Sequence, residues 1–264
     1  MSTINVVVHG ALGKMGQEVL NAVANAEDMT PIGAADQVAD PGSISLPDGS
    51  AQVPISNDLA QVVSGADVVV DFSTADGAMS AMRAATAHSV NVVVGSTGLS
   101  EDNYQEADGL ANEHGVGIII APNFAMGAVL MIHLAKEAGR FFDYADLTET
   151  HHEAKIDAPS GTALAIARAA VEGKSGGFTN VRAEKELIEG PRGGDFEGIS
   201  VHSARMPGRV AHHELVFGGL GQTLTIRHDS ISRESFMPGV TMAIRAVVNR
   251  KGLTVGLENL MGLA

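Results

Sequence analysis

The chain of 264 residues has no cysteine and no tryptophan, and only 2 tyrosines and 8 phenylalanines. Without thiols there can be no disulfide, zinc–thiolate site or cysteine nucleophile. The nicotinamide-using aldehyde dehydrogenases that work through a cysteine thioester are excluded with them. So few aromatics suit poorly a protein that binds nucleic acid by stacking on its bases. Positive charge is scarce too: 17 Lys and Arg stand against 31 Asp and Glu, a formal net charge of -14. Such a surface repels phosphate backbones, so no nucleic-acid partner is expected. It also repels small anionic substrates at long range, unless their site carries its own cations. No uninterrupted apolar run reaches the length of a membrane span. The N-terminal MSTINVVVHG has no basic region ahead of its short apolar run, unlike a signal peptide. A cytoplasmic protein with no membrane partner is the expectation.

What the chain does have is 31 glycines and 45% hydrophobic residues, enough for one large domain or two ordinary ones. Short apolar runs at 4–8, 31–36, 68–72, 91–95 and 117–121 read as buried parallel strands, most of them ending at glycine, serine or proline. Helical stretches separate them, and in 14–26 Met15, Val19, Leu20 and Val23 fall on one face. This alternation predicts an α/β fold with a Rossmann-type, doubly wound parallel sheet. After about residue 124 the pattern changes. Helices at 126–140 and 162–172 are joined by alternating runs at 145–151, 199–206, 212–217 and 222–229. A second α+β domain with a mostly antiparallel or mixed sheet is predicted there. Residues 234–249 return to helix, and 253–255 read as a last strand. The predicted division is a dinucleotide-binding domain of 1–123 with 234–264, and a substrate-binding and oligomerisation domain of 124–233.

The first strand runs into Gly10-Ala11-Leu12-Gly13-Lys14-Met15-Gly16, a GxxGxxG spacing. Glycines so spaced permit a tight turn, close approach of backbone to a pyrophosphate, and close packing of helix on strand. A purely structural turn would use the same residues. The position between a first strand and a helix favours dinucleotide binding, as does Asp36 at the end of the next strand, twenty residues beyond Gly16. A carboxylate there accepts hydrogen bonds from ribose hydroxyls and repels a 2′-phosphate. Lys14 offsets part of that repulsion, and Gln37 adds no charge. The cofactor expected is NADH or NADPH, with NADH preferred.

The segment His151–Thr162, HHEAKIDAPSGT, joins a strand end to a helix start. Helix amides and the hydroxyls of Ser160 and Thr162 are donors to an anion. Lys155 is the local cation that an acidic protein needs, and a histidine titrates near neutrality. The same residues would serve as a plain strand end and helix cap, and spacing alone does not decide between the two readings. Metal binding is not expected, because Ile156 stands where an HExxH motif needs its second histidine. Ser160 has no GxSxG context for a hydrolase nucleophile.

The string HHEAKIDAPSGTA at 151–163 closely resembles the signature of the dihydrodipicolinate reductase family. With GALGKMG at 10–16, DFS at 71–73, GSTG at 95–98 and APNFAMG at 121–127, the resemblance covers essentially the whole chain. It implies NAD(P)H-dependent reduction of a small cyclic dicarboxylate in diaminopimelate and lysine synthesis, by a homotetramer assembled through the second domain's sheet. It implies His151 as proton donor and Lys155 as second catalytic residue. His152, Ser160, Gly161 and Thr162 would bind the substrate carboxylates, with Thr97 near substrate and cofactor. Gly10, Gly13, Lys14, Met15, Gly16, Asp36, Phe72, Gly95, Ala121, Pro122, Asn123 and Phe124 would form the cofactor site. Some relatives have arginine where this chain has Gln37 or Thr74, which argues against strong use of NADPH. Which of His151 and Lys155 gives the proton stays open.

Overall fold

The computed structural model describes residues 3–46, 49, 51–174 and 176–263; Met1, Ser2, Pro47, Asp48, Ser50, Ser175 and Ala264 lie outside the described residues. In chain order the first elements are β1 (Ile4–His9), α1 (Lys14–Ala24), β2 (Met29–Ala35), β3 (Gly42–Ser45), β4 (Gln52–Ser56) and β5 (Val68–Asp71). Next come α2 (Ala75–Ala87), β6 (Asn91–Val94), α3 (Glu101–His114) and β7 (Gly117–Ile120). They are followed by α4 (Met126–Gly139), β8 (Tyr144–His151), α5 (Gly161–Lys174), β9 (Gly194–Phe196), β10 (Ile199–Arg205), β11 (Ala211–Gly219) and β12 (Gln222–Ser230). The chain ends with α6 (Met237–Val247), β13 (Gly252–Val255) and α7 (Glu258–Met261). Two compact units result: Met1–Phe124 with Phe236–Ala264, and Ala125–Ser235.

The first unit is built on an eight-stranded sheet of order β13-β7-β6-β5-β1-β2-β4-β3. All pairings are parallel except β3 with β4. The chain leaves β1 toward β2 on one side and later returns on the other side as β5. That reversal is the topological switch point where doubly wound sheets bind ligands, at the carboxyl ends of their strands. β5 and β7 are buried at every position, as apolar runs covered by helices on both faces must be. α1 presents Gly16, Val19, Leu20 and Val23 to the core. Met15, expected on that face, is half-buried. The β3–β4 hairpin was not predicted: β3 is mostly exposed, and β4 is only five residues long and carries Pro54, a residue that argues against an interior strand.

The second unit packs α4 and α5 on a five-stranded sheet of order β12-β11-β8-β10-β9. The sheet is mixed: β8 and β10 run parallel, and the other neighbours antiparallel. Along β8 the burial alternates, with Ala145, Leu147, Glu149 and His151 facing inward. The core beneath the helices is aliphatic and aromatic, around Leu147, Ile166, Ile199, Leu215 and Phe217. Gly139 of α4 and Gly173 of α5 let the two helices touch, since a Cβ at either would collide with the other helix's backbone. β9 was not predicted either; its three residues form a short edge. Among the described residues, no helix is long and apolar enough to cross a membrane.

Candidate active site

In the first unit, the residues the sequence singled out lie at the carboxyl ends of β1, β2, β5, β6 and β7 and in the first turn of α1. Gly10 has φ +76°, and a Cβ there would lie 2.5 Å from the Phe72 carbonyl oxygen, so only glycine fits the turn. A Cβ on Gly16 would collide with the Gly10 carbonyl, which fixes how closely α1 can follow β1. The cap residue of α1, Gly13, gives no side-chain hydrogen bond, and the first turn has no acidic residue. The leading amides of the helix are thus not answered by a side chain of their own turn, as an anion site requires. Lys14 is exposed beside them.

Asp36 ends β2 next to this turn. Its Oδ2 accepts from the Leu12 amide at 3.0 Å and its Oδ1 from the Val38 amide at 3.2 Å. The carboxylate is therefore held in place and still half-exposed. Gly95 packs on the ring of Phe72, where any Cβ would enter the ring. Phe72 in turn meets Phe124, with centroids 5.6 Å apart. Thr97 and Pro122 are exposed, Ala121 and Phe124 are buried, and Asn123 is half-buried.

Beneath these loops lies a carboxylate that sequence reasoning gave no role. Asp71 is fully buried and accepts from His9 Nδ1 at 2.6 Å, Ser73 Oγ at 2.6 Å and Ser96 Oγ at 2.5 Å. Ser96 Oγ also accepts from the Ser73 amide at 2.8 Å. The DFS and GSTG loops are joined through this network.

In the second unit, His151 closes β8 and is 7% exposed. Its Nδ1 meets Glu149 Oε2 at 2.5 Å. With the Nδ1 proton directed at that carboxylate, Nε2 is the ring nitrogen left for proton exchange. The ring of His213 stands edge-on to His151, with centroids 5.3 Å apart. Burial, aided by the neighbouring His151, pushes His213 down to about 4, so it is neutral near pH 7. Burial also lowers His151; the Glu149 carboxylate opposes this, while Lys155 and Arg205 reinforce it.

Ser160 caps α5, its Oγ accepting from the Ala163 amide at 3.1 Å and lying 3.2 Å from His213 Nε2. Gly161 is exposed, with open space where a side chain would stand. Lys155 Nζ contacts Asp157 Oδ1 at 2.7 Å. That lysine, then the amide of Asp157 itself and the Gly161 amide, holds the Asp157 carboxyl below its usual range. Two groups expected to bind a substrate carboxylate thus already hold one from the chain itself. His152 is half-buried beside the strip. Among the described residues, no group of three or more His, Asp or Glu is arranged to hold a metal ion.

The N-terminal model of dihydrodipicolinate reductase matches residues 4–124 and the C-terminal model matches 127–261. The chain belongs to the dihydrodipicolinate reductase family. It is 49% identical to a 4-hydroxy-tetrahydrodipicolinate reductase of Dehalococcoides mccartyi, covering 100% of both chains. A reductase of the same name from Moorella thermoacetica is 45% identical, with 99% of each chain covered. Among solved structures, a dipicolinate-bound dihydrodipicolinate reductase from Paenisporosarcina sp. TG-14 superposes with a TM-score of 0.85. The two are 38% identical, over 97% of this chain and 99% of that one. An amine dehydrogenase from Mycobacterium smegmatis, at 17% identity and a TM-score of 0.67, shares the fold alone.

Glu149 and Arg205, which hydrogen-bond to residues 151, 157 and 160, were also missed from sequence. For Glu149 a signal existed: it lies two residues before His151 in an alternating strand, hence on the same inward face. For Arg205 there was none, because its register opposite His151 is set by strand pairing.

Proposed function

We propose that this chain is a 4-hydroxy-tetrahydrodipicolinate reductase that forms tetrahydrodipicolinate in diaminopimelate and lysine synthesis. The observation that carries the reading is the folded strip 151–162. It brings a buried histidine with one free ring nitrogen, a lysine and a capped helix start together, in a family whose relatives bear this activity. The substrate is a small dicarboxylate, and Lys155, His152, Ser160, Gly161 and Thr162 are its carboxylate partners.

The loops of the first unit fit a nicotinamide dinucleotide. Gly10, Gly13, Lys14, Met15 and Gly16 would receive the pyrophosphate, and Asp36 the adenosine ribose. Phe72, Gly95, Thr97 and Ala121–Phe124 would line the nicotinamide end. When bound, the reduced nicotinamide supplies the hydride that adds to the carbon conjugated with the substrate imine. The product enamine then needs a proton. We assign its delivery to His151 Nε2, because Lys155 Nζ is engaged by Asp157. Lys155 offsets the negative charge of the dicarboxylate. Asp36 and the neutral Gln37 support NADH as the preferred form.

Homotetrameric assembly and a cytoplasmic location belong to the same proposal. The sheet face carrying Tyr144, Thr148 and Thr225 is exposed and is a surface on which copies could pair. Light scattering at assay concentration measures the assembly.

The activity is tested by condensing pyruvate with aspartate semialdehyde, adding the protein and following the loss of NADH absorbance. Loss well above background is expected. No loss from a preparation shown to bind NADH would overturn the reading.

A further inference from the structure

We infer that Glu149, braced by Arg205, is a positioning residue that sets the orientation and proton affinity of His151. The inference rests on the assignment of His151 as proton donor. Glu149 is fully buried, and each of its oxygens is shared. Oε2 takes His151 Nδ1 at 2.5 Å and Arg205 Nη1 at 2.9 Å. Oε1 takes Arg205 Nη2 at 2.9 Å and the Ser160 amide at 3.3 Å. Arg205 Nη2 also donates to the Asp157 carbonyl at 2.5 Å. One carboxylate and one guanidinium therefore grip the strip at residues 151, 157 and 160.

A plain structural ion pair is the competing account. Joining the two strands does not call for such a pair, because β8 and β10 already pair through their backbones along six residues. Burying a charged pair is often neutral or worse for stability than an apolar replacement. Arg205 Nε is moreover buried without a partner, a cost to stability. What the pair does supply is a directed acceptor for Nδ1, which fixes the tautomer and leaves Nε2 for the substrate.

Charge adds a second effect. The groups facing His151 are Glu149 and Lys155 on its own segment, Arg205 from β10 and the neutral His213 from β11. Only Glu149 favours the imidazolium. Burial pushes Glu149 itself up, but Arg205, then Ser203 and His151, outweigh that and keep it ionised. Proton donation requires protonated His151, so the rate falls as pH rises through the His151 transition. Removing the Glu149 charge lowers that transition, and the alkaline fall in rate moves to lower pH.

The test is Glu149→Gln, read by kcat, KM and the pH profile together with NADH affinity. At neutral pH kcat is expected to fall on the order of 10-fold or more, a part of the roughly 10²–10⁴-fold attributed to a general acid. The fall with pH should shift downward while NADH affinity holds. Unchanged kcat and an unmoved profile would overturn the inference and leave Glu149 a structural staple. Should the variant not fold, the wild-type enzyme still decides the matter. ¹⁵N NMR of neutral His151, assigned by comparison with His151→Gln, is expected to show Nδ1–H, and an Nε2–H tautomer overturns the inference. His151→Gln separates the two readings. If it keeps its rate, the donor assignment fails on its own, and the tautomer still reports on Glu149. If it loses its rate while Glu149→Gln retains both rate and profile, only the positioning inference fails.

Discussion

Each unit of this protein hides one fully buried carboxylate beneath its loops, and the two are satisfied by different partners. Asp71 takes two hydroxyls and the imidazole of His9. Its bonds join two loops to each other. Glu149 takes a guanidinium fork, an imidazole and a helix-start amide. Its bonds join a titrating side chain to a cation. The contrast fits the roles proposed for the two units. A dinucleotide is held largely by backbone amides, which would call for loop geometry and glycines. Proton transfer depends on one ring and its charge state, which would call for ionic partners around that ring.

The comparison breaks most sharply at His151. His151→Gln should lower kcat by roughly 10²-fold or more, the scale of losing a general acid, with NADH affinity barely changed. Steady-state kinetics and NADH fluorescence titration measure both. A retained kcat would make His151 a binder and Lys155 the better acid. The first unit answers to a different change. Asp71→Ala leaves the buried Ser96 hydroxyl and the half-buried His9 ring without their acceptor, along with the exposed Ser73 hydroxyl, and should cost roughly 1–3 kcal/mol of stability. Thermal unfolding should show a lowered Tm, and NADH should bind more weakly because the DFS and GSTG loops lose their tie. An unchanged Tm would mean that Ser96 alone holds the loops.

The same division explains what could be read from sequence. The strands β1, β5, β6 and β7 announced themselves as apolar runs ended by small or turn-forming residues, because burial on both faces leaves no room for polar alternation. The loops that follow them were legible for the same reason, since their glycines answer local backbone demands. β3 and β9 were illegible because exposed edges need no apolar rhythm, and β4 because Pro54 interrupts its short run. The inward row of β8 could have flagged Glu149, as a carboxylate two residues from a histidine on a buried face. Arg205 and His213 come to that histidine only through strand register, which depends on the whole sheet. Asp71 stood in plain view within DFS, but its bond to His9 crosses between strands 62 residues apart in the chain.

A smaller effect is expected at Lys155. Lys155→Ala should raise KM for the dicarboxylate about 10-fold, a loss on the scale of one charge-assisted hydrogen bond, and also reduce kcat. Asp157→Asn should act in the opposite direction. With less competition for Lys155 Nζ and the Gly161 amide, KM should fall a few-fold, as expected for a half-exposed ion pair. A rise in KM would show that Asp157 organises the strip for substrate and does not compete with it.

A change of similar size concerns Asp36. Its carboxylate already accepts from the Leu12 and Val38 amides, so the asparagine side chain, of equal size, can keep an oxygen on the glycine turn while losing the charge. A full charge about 4 Å from a 2′-phosphate costs about 1 kcal/mol in water-like surroundings. Asp36→Asn should therefore raise the ratio of kcat/KM for NADPH over NADH by about five-fold, with Lys14 exposed nearby to help. Parallel assays with the two cofactors measure it, and low salt should widen the gap because the site is half-exposed. If the ratio does not move, Asp36 serves the turn through its two amides, and cofactor preference is set by residues other than this carboxylate.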